Sequence, residues 1–196
     1  RSLLTQREIG AHAPSFSSAL RIAIRQDPDV ILVGEMRDLE TVSLALSAAE
    51  TGSLVFGTLH TNSAAKTIDR LIDVFPEQEQ DMARAMLAGS LKGIVCQQLL
   101  RTANEKGRVA ALEVLVCNFG IANLIREGRT FQIPSMMQGA RAEGMQTLEQ
   151  ALAELVEKKR ITREAGYAAA LNKDYYATLT GMPPEGPGAP PPPRGT

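Results

Sequence analysis

The sequence lacks tryptophan, has only two cysteines and carries no strong excess of either charge. Cys96 and Cys117 stand alone without CxxC or Cys/His spacing, which argues against a structural zinc site and against a disulfide framework. The 21 basic and 22 acidic residues leave a formal net charge of -1, so the composition does not favour nucleic acid as a partner. These features predict a protein of the reducing cytoplasm.

Long apolar runs are also missing. No stretch approaches the roughly 18 to 20 apolar residues that a membrane-spanning helix needs, and the start of the chain lacks the apolar segment of a signal peptide. The chain begins at Arg1 rather than at a methionine, which predicts that the natural N-terminus lies upstream. At 196 residues and 44% hydrophobic, the chain can bury the core of one ordinary domain, with at most a small appendage.

The first sixty residues predict an α/β fold. Ser15 or Ser17 can cap a helix with one apolar face. Val30–Val33 is a short apolar run of the kind found in strands that are buried on both faces of a parallel sheet. Asp38 can cap the next helix, and residues 53–59 then form a second strand. Strand, helix and strand in this order predict a parallel βαβ unit.

The rest of the chain predicts mostly helices. Residues 63–73 and 77–91 have helical patterns, and residues 109–116 form a further strand. We therefore divide the chain into the C-terminal portion of an α/β core (1–117), a helical subdomain (118–172) and a proline-rich tail (173–196) that is disordered or polyproline-like.

Glu35 is the first candidate for chemistry. It follows the apolar strand Val30–Val33, and open α/β sheets bind their ligands at the carboxyl edge of the strands. A carboxylate there can orient or activate the water that attacks a magnesium-bound triphosphate. The residues alone leave an equal alternative open, in which Glu35 caps the following helix or pairs with Arg37.

His60 is the second candidate. It lies in Thr58–Asn62 (Thr-Leu-His-Thr-Asn), directly after the second apolar strand. Because parallel strands end at the same edge of a sheet, polar groups from the two strands are expected to converge there. A lone histidine is more often a hydrogen-bonded structural residue than a catalytic one, but this position is a poor place for a core histidine. We therefore predict that His60 senses the state of a bound nucleotide.

Longer motifs surround these two residues. They are Gly34–Asp38 (Gly-Glu-Met-Arg-Asp), Ala49–Gly52 (Ala-Glu-Thr-Gly), Gly57–Ser63 (Gly-Thr-Leu-His-Thr-Asn-Ser) and Ile68–Pro76 (Ile-Asp-Arg-Leu-Ile-Asp-Val-Phe-Pro). Together they resemble the PilT-like ATPases of type IV pilus retraction, or twitching motility, within the secretion ATPase superfamily. The resemblance runs from about residue 6 to residue 165.

The resemblance implies a RecA-like P-loop ATPase that uses ATP and Mg²⁺. Glu35 would be the catalytic residue of an atypical Walker B motif in which Gly34 replaces the usual Asp, and His60 would lie near the γ-phosphate. Arg37 and Arg70 would face a phosphate or a neighbouring subunit, with simple ion pairs as the alternative. The residues expected to bind the nucleotide are Gly34, Arg37, Thr58, Thr61 and Arg70.

The same resemblance implies partners and a location. It predicts a homo-hexameric motor that works in the cytoplasm, peripheral to the inner membrane, against the platform protein of a pilus. No nucleic-acid partner is expected.

Two features depart from the family pattern. The chain contains no Gly-Lys dipeptide, so the Walker A loop is absent from these residues, and the chain alone is expected to be inactive. Where the family has Ala-Ile-Arg-Asn-Leu-Ile, Gly120–Ile125 carries Ala122 in place of the Arg. Three alternatives therefore stay open: a PilU-like paralogue, a pilus assembly or type II secretion ATPase, and a non-catalytic interaction module. The four-cysteine zinc module common in the assembly and type II enzymes is missing from this sequence.

Overall fold

A computed structural model describes residues 3–182 of the chain. Among the helices in that range, none combines the length and the apolar character needed to cross a membrane. The strands are β1 (Val30–Val33), β2 (Leu54–Gly57), β3 (Gly93–Arg101) and β4 (Arg108–Val116). The helices are α1 (Phe16–Ile24), α2 (Leu39–Glu50), α3 (Ala64–Asp73), α4 (Gln80–Ser90), α5 (Phe119–Arg126), α6 (Ile133–Gly139), α7 (Leu148–Glu157), α8 (Arg163–Ala169) and α9 (Lys173–Thr180).

Short polar side chains begin the helices, because they satisfy backbone N–H groups that have no partner within the helix. Ser15 rather than Ser17 caps α1, with its hydroxyl accepting from the Ser18 N–H. Asp38 caps α2 and Thr147 caps α7, where Gln150 completes a capping box. The cap predicted at Asp38 is confirmed.

The parallel βαβ unit predicted from the first sixty residues is confirmed. β1 and β2 pair in parallel, with Val30 opposite Leu54 and Val33 opposite Gly57, and α2 connects them. One face of this small sheet packs against α1 and α2 through Leu20 and Ala45. This packing fixes the orientation of the two strands, whose carboxyl ends lie side by side.

The expectation that β1 is buried on both faces is wrong for the described residues. Val30 and Leu32 are 55% and 73% exposed, and on β2 Leu54 and Phe56 are 45% and 53% exposed. Ile31 and Val33 are buried, so the strand alternates between a covered and an uncovered face. The physical reason is that α1 and α2 cover only one side of the sheet, and nothing within residues 3–182 covers the other.

Strand β3 was not predicted from the sequence. It pairs with β4 as an antiparallel hairpin in which Gly93 lies opposite Val116 and Arg101 opposite Arg108. Its sequence carries the polar pair Gln97-Gln98 between apolar residues, which weakens the strand pattern. β3 depends on its hydrogen bonds to β4 more than on its own composition.

Two further cores join these elements. The larger one brings α2, α3 and α4 together with the start of β3 and with α5 and α6. The other packs α7, α8 and α9 against the far end of the β3–β4 hairpin. Helices α5 and α6 thus share a core with the residues before 117, and the division of the chain at that point stays a prediction.

The predicted tail begins too early. Residues 173–180 form α9, and the Tyr176 ring on that helix is fully buried. The Tyr176 hydroxyl donates to the Arg163 carbonyl oxygen at 3.0 Å. A buried aromatic side chain of this size ties its helix to the core. The proline-rich residues 183–196 lie outside the described part of the chain, and their predicted disorder stays a prediction.

Candidate functional site

The carboxyl ends of β1 and β2 lie side by side and carry the loops that were predicted to hold the site. Two hydrogen bonds tie these loops together. The Met36 N–H donates to the Thr58 carbonyl oxygen at 3.0 Å, and the Thr58 hydroxyl donates to the Gly34 carbonyl oxygen. The predicted nucleotide-binding residues Gly34 and Thr58 therefore hold the two loops in register.

Glu35 is the meeting point of these loops. Its Oε1 atom accepts a hydrogen bond from Arg37 Nε and lies 2.9 Å from His60 Nε2. The Glu35 side chain is 22% exposed, whereas those of Arg37 and His60 are mostly exposed. The structure thus brings the two residues predicted to be catalytic into contact, with Arg37 on the same oxygen.

These neighbours control the charge of Glu35. The hydrogen bond from the Arg37 guanidinium holds the pKa of the Glu35 carboxyl below its ordinary value, and His60 adds to the effect. Partial burial opposes this shift but does not cancel it. The Glu35 carboxyl is therefore ionised near neutral pH.

The alternative roles for Glu35 can now be judged. The cap of α2 is Asp38, whose Oδ1 atom accepts from the Thr41 N–H at 2.9 Å, so Glu35 does not cap that helix. The ion pair between Glu35 and Arg37 does form. Glu35 thus pairs with Arg37 and also lies close to His60. The ion pair with Arg37 does not by itself explain why His60 is there.

The other two predicted nucleotide-binding residues differ in their surroundings. The Thr61 hydroxyl lies 2.7 Å from that of Thr67 on α3, so it is engaged within the protein. Arg70 lies on the exposed side of α3, and within residues 3–182 its guanidinium forms no hydrogen bond or ion pair. Thr61 has a structural contact, while Arg70 keeps its charge open to solvent.

A large cleft adjoins these residues. Its volume is about 2310 Å³, and its walls include Glu35, His60 and Arg70. Further wall residues come from both β2 and β3, which within residues 3–182 have β1 and β4 as their sole strand partners. Each strand therefore leaves one edge without a partner beside the cleft.

The side chains of the site suit phosphate better than a metal ion. Arg37, His60 and Arg70 offer nitrogen donors that could contact phosphate oxygens. No group of three or more His, Cys, Asp or Glu side chains in residues 3–182 is arranged to hold a metal.

A buried acidic residue on β4 was missed from the sequence. Glu113 on β4 is 7% exposed, and its carboxylate contacts two helix starts. Burial raises the pKa of Glu113, and hydrogen bonds from two backbone N–H groups act in the opposite direction. A charged residue in the middle of an apolar strand, Arg108–Val116, was the signal that could have found it.

The fold and the site together define a class of protein. The chain belongs to the type II/IV secretion system protein family, whose sequence pattern matches residues 6–173. The RecA-like α/β fold predicted from the sequence is confirmed by the likeness to solved secretion ATPases.

Within that family, the chain is similar to retraction proteins. It is 53% identical over 174 residues to a twitching motility protein of Neisseria gonorrhoeae, covering 89% of this chain and 46% of the relative. It is 54% identical over 164 residues to the type IV pilus retraction ATPase PilT of Pseudomonas aeruginosa, covering 84% and 47%. The predicted resemblance to PilT-like proteins is confirmed. The chain spans about half the length of these relatives.

Solved structures agree with this assignment. The pilus retraction motor PilT with bound ADP superposes with a TM-score of 0.80 at 50% identity, covering 87% of this chain and 48% of that one. The ATPase DotB of Legionella pneumophila gives a TM-score of 0.74 at 32% identity, covering 84% and 44%.

Proposed function

We propose that this chain supplies the water-activating part of an ATP-hydrolysing motor for type IV pilus retraction. The observation that carries the proposal is the contact between Glu35 Oε1 and His60 Nε2, 2.9 Å apart where β1 and β2 end beside the cleft. Parallel α/β sheets bind nucleotides at this edge. The ADP bound to the related PilT structure supports nucleotide as the ligand class.

In this proposal Glu35 receives the proton of the attacking water. Its lowered pKa keeps it ionised, and it accepts hydrogen bonds through an oxygen at the rim of the cleft. MgATP supplies the γ-phosphoryl group on which that water acts. His60 keeps the Glu35 carboxylate oriented and reports the state of the phosphate.

The remaining predicted residues divide into two roles. Gly34, Thr58 and Thr61 hold the loops in place through the hydrogen bonds described above. Any contact that these residues make with a nucleotide comes from groups whose positions are already fixed. Arg37, while paired with Glu35, and Arg70 provide cationic groups for phosphate oxygens, and Arg70 could instead contact a neighbouring subunit.

We propose that the phosphate cradle and the Mg²⁺ site come from the rest of the full-length protein. No Gly-Lys dipeptide occurs in this chain, and its described residues offer no metal cluster. The uncovered apolar face of β1 and β2 and the open edges of β2 and β3 support this proposal, because further chain is needed to bury them.

Pilus retraction is favoured over the other motor functions by the similarities. Identity to the P. aeruginosa ATPase PilU is 42% over 168 residues, lower than to PilT over a similar length. Identity to the assembly ATPase PilB is 51% but extends over only 86 residues. Ala122, which lacks the Arg of the family motif, is half-buried against the larger core, so its small side chain suits its packing.

The proposal includes an assembly and a place of action. We propose a homo-hexamer in the cytoplasm, peripheral to the inner membrane, that acts on a pilus platform protein. Arg70 lies beside the cleft and has no hydrogen-bond or ion-pair partner among residues 3–182, which supports a subunit contact there, since arginines from neighbouring subunits often complete ATPase sites.

The proposed function is tested by comparing the chain with the full-length protein. We expect the full-length protein to hydrolyse ATP, whereas residues 1–196 alone show no micromolar binding of MgATP in calorimetric titration. The reason is that most phosphate contacts of a P-loop site come from backbone N–H groups and a Lys that these residues lack. Tight binding by the chain alone would contradict the proposed division. A full-length protein without ATPase activity would favour the interaction-module alternative.

Replacing Arg37 with Ala tests the charge control of Glu35. Loss of the Arg37 hydrogen bond raises the pKa of Glu35 toward its ordinary value, so Glu35 becomes protonated at a higher pH. In the full-length protein we expect the acid limb of the kcat/KM profile to move to higher pH. Arg21→Ala is the control, because Arg21 forms the same kind of pair with Glu40 on α2. An unmoved acid limb in Arg37→Ala would show that Glu35 does not set it.

A further inference from the structure

Glu113 is a buried carboxylate that the proposed chemistry does not use. It lies on β4, opposite Cys96 of β3, and is 7% exposed. Within residues 3–182 it forms no ion pair that would neutralise its charge. A buried charge without a cation requires other compensation.

That compensation comes from the starts of two helices. The Ala64 N–H, the first of α3, donates to Glu113 Oε1 at 2.6 Å, and the Leu148 N–H, the first of α7, donates to Oε2 at 3.4 Å. Both N–H groups lack partners within their own helices, and helix N-termini favour negative charge. One side chain thus joins two helices that are far apart in the sequence.

Helix α3 directly follows the loop that holds His60. Ser63 caps α3, and the Thr67 hydroxyl donates to the Ser63 carbonyl oxygen at 2.8 Å while contacting Thr61. Glu113 fixes the same helix start from the inside through Ala64. The position of the His60 loop therefore depends on a contact with β4.

We infer that Glu113 is a positioning residue that holds the start of α3, and with it the His60 loop, against β4 and α7. The inference rests on the proposed function for its effect on turnover, but the structural contact can be tested without it. The His60 loop is in this way coupled to the C-terminal helices.

Glu149 provides a matched comparison. It is also buried, at 6% exposed, and its Oε1 atom accepts from the N–H groups of Leu171 and Asn172 at 3.0 and 2.8 Å. These two donors lie between α8 and α9, away from the proposed site. The negative charge of Glu149 raises the pKa of Glu113, so replacing Glu149 with Gln favours the ionised form of Glu113. The ionised form still accepts the hydrogen bond from the Ala64 N–H.

The experiment compares Glu113→Gln with Glu149→Gln in the full-length protein by hydrogen exchange. Gln has one acceptor oxygen. In Glu113→Gln the amide group would face one of the two N–H groups, which bond to different oxygens in the wild type, so one backbone contact is lost. In Glu149→Gln the single oxygen can keep both contacts, because both N–H groups donate to Oε1. In Glu113→Gln we expect exchange to become at least about tenfold faster in residues 58–67 and 146–152. In Glu149→Gln we expect exchange in residues 58–67 to stay at the wild-type rate. If Glu113→Gln does not fold, Glu113→Asp replaces it, since the shorter side chain keeps the charge but cannot span both donors.

Steady-state ATP hydrolysis gives the second readout. Because displacement of a group near the reacting atoms by about 1 Å can cost 10²-fold, we expect Glu113→Gln to lower kcat by about 10- to 100-fold with KM nearly unchanged. Glu149→Gln is expected to keep the wild-type kcat.

The outcomes separate the two proposals. The positioning role would be overturned if both variants showed equal exchange in residues 58–67. It would also be overturned if Glu113→Gln exchanged faster there but had the same kcat as Glu149→Gln. A wild-type protein that hydrolyses no ATP would contradict the proposed function, and the exchange comparison would then decide the Glu113 contact by itself.

Discussion

Replacing Glu35 with Gln in the full-length protein is expected to lower kcat for ATP hydrolysis by about 10²- to 10⁴-fold. Gln keeps the size of the side chain and one acceptor oxygen, but it cannot take a proton or carry the charge that polarises water. The lowered pKa of Glu35 means that the wild-type group performs this role in its ionised form. The loss therefore falls on the chemical step.

Nucleotide binding should survive the same substitution. Glu35 is an anion, so it contributes no attraction to the phosphates, and its removal even reduces repulsion. Binding in the proposed site comes from the phosphate cradle and the metal. Titration with a fluorescent ATP analogue is expected to give nearly the same Kd for both proteins.

The control for this variant is Glu40→Gln. Glu40 lies on α2 near Glu35 in the sequence and pairs with Arg21 in the way that Glu35 pairs with Arg37, but it lies outside the walls of the cleft. Its replacement is expected to leave kcat unchanged. If Glu35→Gln kept more than about a tenth of wild-type turnover, the carboxylate would not be catalytic, and its ion pair with Arg37 would be its main role.

Replacing Tyr176 with Ala is expected to destabilise the chain by about 3–5 kcal/mol. Tyr176 is fully buried among the side chains that join α7, α8 and α9, and its hydroxyl is satisfied by the Arg163 carbonyl oxygen. The substitution leaves a large cavity and removes the hydroxyl that donates to the Arg163 carbonyl oxygen. For a chain of this size the melting temperature should fall by roughly 10 °C, as followed by circular dichroism.

Leu179→Ala is the matched control for this effect. Leu179 lies on the same helix and loses apolar atoms in the same way, but it is 40% exposed. Its replacement is expected to cost less than about 1 kcal/mol. If both variants lowered the melting temperature by the same small amount, α9 would add nothing to the core, in line with the prediction from the sequence that residues 173–196 form a tail.

The features that could be predicted from the sequence depend on near neighbours. The caps at Asp38 and Thr147 accept from backbone N–H groups three residues away. Such caps can be recognised from a few neighbouring residues in the sequence. The convergence of Glu35 and His60 followed from two apolar runs and the rule that parallel strands end at one edge. Both the type of fold and the centre of the site were accessible in this way.

Features that depend on distant partners were not accessible. β3 is recognisable only with β4 beside it, and the Glu113 contact joins residues that are 49 positions apart. The ion pair of Arg37 with Glu35 was open as an alternative, because exposed side chains have several partners within reach. Tyr176 is followed closely by proline-rich sequence, which masked its role in packing.

The open strand edges described above have a practical consequence for work with this chain. Strands without a partner on one edge, with apolar side chains such as Leu32 and Phe56 turned outward, are templates for strands of other molecules. At the concentrations used for crystallisation or NMR, residues 1–196 are therefore expected to form oligomers and precipitate. If the proposed longer protein completes the sheet, co-expression with its other residues is expected to cover the exposed edges and keep the material soluble.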